Sequence, residues 1–486
     1  MKQLLVTRVL SRELYDELCP LRTPRGISID SLIRGAVDWS EFYDTGHSSG
    51  AHVGDPDCYD TFRQLLEPLL ELLAHPDSPR VPTFPASRAA PASGAGASPP
   101  PAPVASVMAV KQPLPRFDPS AVLDALALLD GDSDRVLATT LRARRSVDGF
   151  CLPSCMGRSE RQEVEKLLSS ICVQLEGCLA GAYSPAPGSQ TWTSMPGGAD
   201  KATTAGLRED GWMPTAGQQT ARALRGLERD FSHGRGVFQS STKTVAVLVN
   251  GSDHAEFALS EKGADVRSLV DSLKFLLDGV ESGLEARNSG FVYSNRWGHL
   301  VSDPADVGTG LRCILTVRAP AVKRMDGATL EEWLAPRGLR LEPGPPVGAA
   351  ALAAAATEGV LHVSNRYALG LDEVALVSGV IRGVVALIDL DHELVEAEGL
   401  LGAGRRHRID QQSRGIALVK ALKQGLNGRV GHEEVVDRGL DQHDGLRLGG
   451  DLPKALGLRL GGDFPEALVP VRQHHLKRHC RDPGST

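Results

Sequence analysis

The sequence predicts a fold that mixes helices and strands, preceded by an all-helical N-terminal part. Residues 60–74 (DTFRQLLEPLLELLA) carry leucines at helical spacing, which predicts an amphipathic helix. Residues 244–249 (TVAVLV) are β-branched and apolar, as in a buried strand. An apolar stripe at helical spacing follows over 265–286, and RCILTVR at 312–318 predicts another strand. The alternation of strands and helices is typical of an α/β domain.

The predicted elements divide the chain into four parts. Residues 1–80 predict short helices joined by turns, with Pro68 expected to kink the leucine-rich helix. Residues 81–116 are rich in Pro, Ala, Ser and Gly, which predicts a disordered insertion because such a segment buries little apolar surface. Residues 117–397 predict one large domain that ends in a helix-rich stretch from 371. Residues 398–486 predict a largely disordered tail.

The tail has two features of its own. The 12-residue unit GLRLGGDLPKAL occurs as two related copies, at 445–456 and 457–468, fewer than a solenoid needs. Its end, RQHHLKRHC, is basic and predicts a solvated segment, with metal or anion binding as the alternative. An imperfect gene model is another explanation of the tail.

Composition excludes several classes of partner. The chain has 486 residues and a formal net charge of −7, so it lacks the positive field that holds nucleic acid. No apolar run approaches the roughly 20 residues of a membrane helix, and Arg8 and Arg12 interrupt any signal-peptide core. Eight sparse cysteines disfavour a disulfide scaffold, and no zinc-ligand spacing appears, so we expect a cytoplasmic protein without a metal site.

Six segments together, in chain order, resemble the phosphagen kinases, the ATP:guanidino phosphotransferases, and among them the creatine kinase type. The segments are SRELYDELCPLRTPRGISIDSLIRGAVD (11–38), GAHVGDPDCYDTFRQLLEP (50–68), RSVDGFCLPSCMGRSERQEVEKL (145–167), GRGVFQSSTKT (234–244), VGTGLR (307–312) and VSNRYALGLDEV (363–374). The resemblance implies an α+β fold. It consists of a small all-α N-terminal domain, 1–80, and a larger domain, 117–397, with an antiparallel β-sheet flanked by helices.

The resemblance also implies a chemistry. Phosphagen kinases transfer the γ-phosphoryl group of MgATP to a guanidino nitrogen, and the implied partners are creatine or another guanidino compound and a second copy in a homodimer. Such transfer depends on positioning and on charge neutralisation. It therefore requires arginines on the phosphates and carboxylates that orient the guanidinium group.

The loop at 250–256 departs from the family's Asn-Glu-Glu-Asp-His-x-Arg motif at three positions. Here the residues read Asn-Gly-Ser-Asp-His-Ala-Glu. Ser252 takes the place of the glutamate that pairs with the guanidinium, and Glu256 takes the place of a phosphate-binding arginine. At about 4 Å and an effective dielectric near 20, an anion there would repel each phosphate charge by about 4 kcal/mol. Asp253 and His254 are interpreted as turn structure rather than as an acid and base pair.

Other family positions are also substituted. Two of the five phosphate arginines are retained, as Arg142 and Arg312. The substituted positions are Thr140 for an arginine, Gly211 for the adenine-region histidine, Asp303 for the reactive cysteine, Gly344 for the arginine of the mobile loop, and His362 for an aspartate. An alignment with a two-residue deletion would instead place Arg142 and Arg144 on two arginine positions.

These substitutions predict a catalytically impaired or inactive relative that keeps the fold, with MgATP or ADP as cofactor where any binding is retained. Loss of one preorganised contact commonly costs about 100- to 1,000-fold in rate. The alternative is an active kinase in which Glu256 or Asp303 takes the guanidinium and Arg144 or Arg145 joins the phosphate site. A purely structural role of Arg142 and Arg312, as paired or solvated surface arginines, also stays open.

Overall fold

A computed structural model describes residues 4–38, 49–74, 125, 127–129, 133–189, 197–210, 212, 226–342 and 359–403, with side chains of the last helix described to residue 397. Two predicted site positions, Gly211 and Gly344, lie outside the described residues. The predicted insertion at 81–116 also lies outside them, as does the predicted tail beyond 403. Residues 398–403, which were assigned to the tail, belong instead to the end of the last helix.

The N-terminal part is helical, as predicted. Its helices are α1 (Val6–Val9), α2 (Arg12–Leu18), α3 (Ile29–Asp38), α4 (Cys58–Thr61) and α5 (Arg63–Ala74). The Ser11 hydroxyl caps α2 by accepting a hydrogen bond from the Leu14 amide at 3.2 Å. Leu65, Leu66, Leu69 and Leu70 of α5 are buried in one apolar cluster, and Pro68 lies within the helix without ending it.

The larger domain is built on an eight-stranded antiparallel sheet within the described residues. Its strands are β1 (Val136–Arg145), β2 (Gly181–Pro185), β3 (Gly236–Ser240), β4 (Val245–Val249), β5 (Ala255–Lys262), β8 (Leu311–Arg318), β9 (Leu339–Leu341) and β10 (Val360–Asn365). They lie in the order β2-β3-β4-β5-β1-β8-β10-β9. The pairing confirms the antiparallel sheet implied by the resemblance and corrects the α/β pattern, because the alternation of elements does not fix strand direction.

Helices and short elements complete the domain. The helices are α6 (Arg158–Cys172), α7 (Lys201–Glu209), α8 (Val266–Glu285), α9 (Pro320–Lys323), α10 (Gly327–Leu334) and α11 (Glu373–Ala403). A two-stranded ribbon joins β6 (Tyr293–Ser294) to β7 (Gly298–His299), and a 3₁₀ turn spans Pro304–Asp306. None of the helices in the described ranges has the length and apolarity that crossing a membrane requires.

The two faces of the sheet differ in chemistry. Side chains alternate between faces along a strand, so Leu141 and Ala143 of β1 join the apolar core with residues of α6, α8 and α11. Arg142 and Arg144 point to the opposite face. Arg142 pairs in register with Arg312 of β8, and Arg144 pairs with Glu256 of β5. Arg142, Arg144, Glu256 and Arg312 thus lie on one face of the sheet.

Buried polar contacts hold the helices to this sheet. The carboxylate of Asp391, within α11, accepts hydrogen bonds from the amides of Ala321 (2.7 Å) and Val322 (3.0 Å) at the start of α9. Its second oxygen pairs with Arg135 at 2.7 Å. Because the carboxylate is fully buried and has a partner for each oxygen, it fixes the position of α11.

Candidate active site

The turn between β4 and β5, residues 250–254, is held by backbone and amide hydrogen bonds. Asn250 has a positive φ of 54°, and its amide donates to the His254 carbonyl at 2.9 Å. The Asn250 side-chain nitrogen donates to the carbonyls of Arg161 (2.9 Å) and Gly234 (2.6 Å). Asn tolerates the left-handed region better than most residues, so this position supports the turn itself.

His254 is a structural residue of the same turn. Its Nδ1 accepts a hydrogen bond from the Val147 amide at 2.8 Å, so the proton is on Nε2, which donates to the Cys151 carbonyl at 2.8 Å. Burial lowers the pKa of His254 to about 4, and the imidazole stays neutral at physiological pH. Both ring nitrogens are occupied by backbone groups, which leaves none for proton transfer.

Asp253 points away from its neighbour His254. Its Oδ1 accepts a hydrogen bond from the Ser302 amide at 2.7 Å and so ties the turn to the 300–308 segment. Burial raises the pKa of Asp253 to about 7. Ser252, at the position of the family's guanidinium-binding glutamate, is half-buried and brings no carboxylate to the site.

Charged side chains on the polar face of the sheet form a continuous chain, which we call the ion-pair row. Each acid in it lies between two arginines. In order, the ion-pair row consists of Arg142, Glu256, Arg144, Asp306, Arg312, Glu342 and Arg340.

Glu256 bridges the two arginines of β1. Its Oε1 accepts hydrogen bonds from Arg142, at 2.9 Å from Nε and also from Nη2, and its Oε2 lies 3.6 Å from Arg144 Nε. The Glu256 side chain is only 4% exposed. Glu256 is therefore not the bare carboxylate that the expected repulsion assumed, because two guanidinium groups lie beside it.

Asp306 bridges β1 and β8. One carboxylate oxygen bonds to Arg144 Nη1 and the other to Arg312 Nη2. Burial opposes ionisation of this carboxyl, but the charges of Arg144 and Arg312 outweigh burial and hold its pKa well below the usual range. Asp306 therefore stays ionised as a counter-ion of both arginines.

Glu342 ends the ion-pair row beside β9. Its Oε1 accepts hydrogen bonds from Arg340 Nη2 at 2.8 Å and from the Ser364 hydroxyl at 2.6 Å, and it lies 3.5 Å from Arg312 Nη1. Burial opposes its charge, but Arg340 and Arg312 lower the pKa of Glu342 to about 2. The row thus contains four arginines and three carboxyl groups, so the arginines outnumber the acids by one.

The ion-pair row brings together only some of the predicted site residues. Arg142, Glu256 and Arg312 belong to it, and Arg144 joins them. Arg145 does not, because it lies on the opposite side of β1 and donates to the carbonyls of Arg144 and Thr309, both at 2.8 Å. The retained arginines are paired, but they are more than four-fifths buried rather than surface residues.

Three further predicted positions have contacts of their own. The Thr140 hydroxyl bonds to that of Ser260 at 2.9 Å, and His362 Nδ1 lies 3.0 Å from the Thr316 hydroxyl. Asp303 Oδ1 accepts from the Ser49 hydroxyl at 2.7 Å, which joins it to the N-terminal domain. Among the described ion pairs, none joins these three residues to an arginine of the ion-pair row.

Sequence reasoning missed the importance of Asp306, Arg340 and Glu342. Asp306 is six residues before Arg312 in the same segment, and Arg340 and Glu342 are two apart at the end of a strand. That two-residue spacing places both side chains on one face and was a usable signal. The pairing of Asp306 with Arg144, 162 residues earlier in the chain, left no such signal.

The donor set of this face does not fit a polyphosphate. A phosphate site needs guanidinium donors aimed at the ligand, but here each of the four arginines donates to a carboxylate of the chain. Within the described ranges, no cluster of three or more His, Cys, Asp or Glu side chains is arranged to hold a metal ion. In the part of the chain that the structure describes, the guanidinium groups of this face are therefore bonded to carboxylates of the chain itself.

Comparison with known proteins shows which protein family this chain resembles. Residues 1–71 match the model of the ATP:guanido phosphotransferase N-terminal domain, and residues 196–394 match that of the C-terminal catalytic domain. The testis creatine kinase of Oncorhynchus mykiss is 26% identical over 400 residues, which cover 81% of this chain and 90% of that protein. The lombricine kinase of Eisenia fetida is 28% identical over 403 residues, covering 82% and 91%.

Solved structures agree in fold. The crystal structure of a lombricine kinase superposes with a TM-score of 0.60 at 24% identity, covering 81% of this chain and 93% of that one. The substrate-free duplicated taurocyamine kinase from Schistosoma mansoni gives a TM-score of 0.59 at 19% identity, covering 81% and 48%. From both domain matches and the agreement in fold, we conclude that the chain belongs to the ATP:guanido phosphotransferase family, the phosphagen kinases.

Proposed function

We propose that this chain is a catalytically impaired phosphagen kinase, a pseudoenzyme that keeps the family's fold for a structural or binding role. The observation that carries the proposal is the ion-pair row. In it, Glu256, Asp306 and Glu342 each neutralise arginines that a transferring phosphoryl group would need. A phosphate could reach these guanidinium groups only by displacing an ionised, buried carboxylate.

The arginines of the ion-pair row are not preorganised to receive a phosphoryl group. Phosphoryl transfer gains its rate from donors that already point at the developing charge, and removal of one such donor costs about 100- to 1,000-fold. Arg142 and Arg312 are retained, but Arg142 donates to Glu256 at 2.9 Å and Arg312 donates to Asp306. Moving either arginine toward a ligand would also leave a buried carboxylate with less compensation, which is costly.

The positions that bind the guanidino substrate in the family also lack free carboxylates here. Ser252 replaces a carboxylate, and Asp303 is bonded to the Ser49 hydroxyl and to the Ala305 amide, 3.0 Å away. The relatives are named for creatine and lombricine, so a guanidino compound is the substrate class against which loss of activity is to be tested. We also propose a cytoplasmic location, because the described cysteines are free thiols, and a homodimer as in the family.

A coupled assay with saturating MgATP and either creatine or lombricine tests the proposal. We expect turnover at least about 1,000-fold below that of an active phosphagen kinase measured alongside, since several preorganised contacts are lost. Steady turnover that disappears in Arg312→Ala would contradict the proposal. Arg318→Ala is the matched control, because Arg318 lies at the exposed end of the same strand.

One observation favours the second candidate, an active kinase with relocated groups. Arg144 lies on the same face as Arg142, two residues away, so a second arginine is present near the retained pair. If this candidate is correct, Arg144→Ala abolishes turnover as completely as Arg312→Ala does. If the unsubstituted protein shows no turnover, this second candidate is excluded.

A further inference from the structure

Asp306 differs from the other two carboxylates of the ion-pair row in where its backbone lies. Glu256 is part of β5 and Glu342 directly follows β9, whereas Asp306 ends a short 3₁₀ turn, Pro304–Asp306, that precedes β8. The Asp303 side chain caps that turn by accepting from the Ala305 amide. The carboxylate of Asp306 therefore reaches the arginines from a connecting segment outside the sheet.

The two arginines that it joins are fixed on neighbouring strands. Arg144 is on β1 and Arg312 is on β8, and the register places Arg312 opposite Arg142, one same-face position from Arg144. Each arginine takes one oxygen of Asp306, which is also how a free oxyanion would be held between two guanidinium groups. The side chains of the arginines are 17% and 12% exposed, so solvent reaches the pair.

We propose that the Asp306 carboxylate is an internal competitor that occupies an oxyanion site formed by Arg144 and Arg312. The ligand class of this masked site is a compact oxyanion such as inorganic phosphate. The inference rests on the proposed function and extends it, because it names one side chain as the group that excludes the ligand. Without Asp306, two guanidinium groups on adjacent strands lose their shared counter-ion, and an external oxyanion becomes the available replacement.

The decisive variant is Asp306→Asn, which removes the charge and keeps the shape. Calorimetric titration with inorganic phosphate, at an ionic strength held constant with sodium chloride, measures the dissociation constant. We expect Asp306→Asn to bind phosphate at least about tenfold more tightly than the unsubstituted protein, a factor worth about 1.4 kcal/mol. Asp278→Asn is the matched control, because it makes the same charge change on the exposed surface of α8, where Asp278 pairs with Lys274.

Two results would overturn the inference. One is a folded Asp306→Asn protein that binds phosphate no more tightly than the Asp278→Asn control. The other is an unsubstituted protein that binds phosphate as tightly as the variant, since the site would then not be masked. If Asp306→Asn does not fold in chloride, phosphate at the same ionic strength should restore its native circular dichroism, and failure to do so also overturns the inference.

The outcome separates this inference from the proposed function. Turnover of the unsubstituted protein in the coupled assay contradicts the proposed function whatever the variant does. Absence of turnover together with absence of any gain in phosphate binding contradicts only the role of Asp306.

Discussion

The β4–β5 turn and the ion-pair row lie on adjoining parts of the same sheet. The turn keeps residues of the family motif, whereas the row contains a glutamate in place of a family arginine. In the turn, Asn250 and His254 make hydrogen bonds to backbone groups, and both residues agree with the family motif. In the row, Glu256 replaces a family arginine and bonds to arginines instead. Residues that satisfy buried backbone groups preserve the fold, whereas charges on the polar face can be rearranged provided that each retains a counter-ion.

The largest expected effect comes from removing one carboxylate of the row. Glu256→Ala leaves Arg142 and Arg144 without their shared counter-ion in a mostly buried site. We expect the free energy of unfolding to fall by about 3 to 5 kcal/mol, as for other broken buried pairs. Urea denaturation measures it, with Glu261→Ala further along β5 as the control, expected within about 0.5 kcal/mol of the unsubstituted protein. A loss of stability no larger than the control's would show that the row is not structural.

A substitution in the β4–β5 turn should lower the free energy of unfolding somewhat less. Asn250→Ala removes hydrogen bonds to the carbonyls of Arg161 and Gly234 and places alanine at a φ of 54°. We expect a loss of about 2 to 4 kcal/mol. Asn250→Gly relieves the backbone strain alone, so it should recover about 1 kcal/mol of that loss in the same urea experiment. Equal stabilities of the two variants would remove backbone strain from the explanation.

The pH dependence of stability should reveal the buried carboxyl of the turn. The pKa of Asp253 is raised to about 7 in the folded protein and is about 3.9 when unfolded. The folded state therefore binds the proton more tightly, and stability falls as pH rises from about 4 to about 7. Between pH 5 and pH 8, the unsubstituted protein should lose about 2 to 3 kcal/mol relative to Asp253→Asn. Parallel stability profiles of the two proteins would contradict this assignment.

The smallest expected effect is on the surface. Lys274 and Asp278 form an exposed ion pair one turn apart on α8. We expect Asp278→Asn to change the free energy of unfolding by no more than about 0.5 kcal/mol, because solvent screens the pair. Thermal unfolding at low and high salt checks this value, and a loss comparable with that of Glu256→Ala would erase the distinction between buried and exposed pairs.

Much of the fold was predictable because local periodicity carried it. The predicted strand at 244–249 is β4 (Val245–Val249), and the predicted helix at 265–286 is α8 (Val266–Glu285). Strand direction was not predictable from alternation, since the same order of elements suits parallel and antiparallel sheets. The resemblance supplied that information.

The site was predictable only in part. Arg142, Glu256 and Arg312 were found as positions, but their mutual pairing depends on strand register, which the sequence does not display. Asp306 was missed because it lies in a turn and its partner Arg144 lies on a strand 162 residues earlier in the chain. Glu256 was interpreted as an isolated anion for the same reason, because the sequence does not show which strands pair or in which register.

We propose that the arginines of this face cannot hold a phosphate because carboxylates of the chain already occupy them. Calorimetric titration of the unsubstituted protein with MgADP tests it most directly, since binding requires those arginines but not turnover. We predict no saturable heat at nucleotide concentrations that saturate an active phosphagen kinase studied in parallel. Saturable binding that is lost in Arg312→Ala would contradict the account.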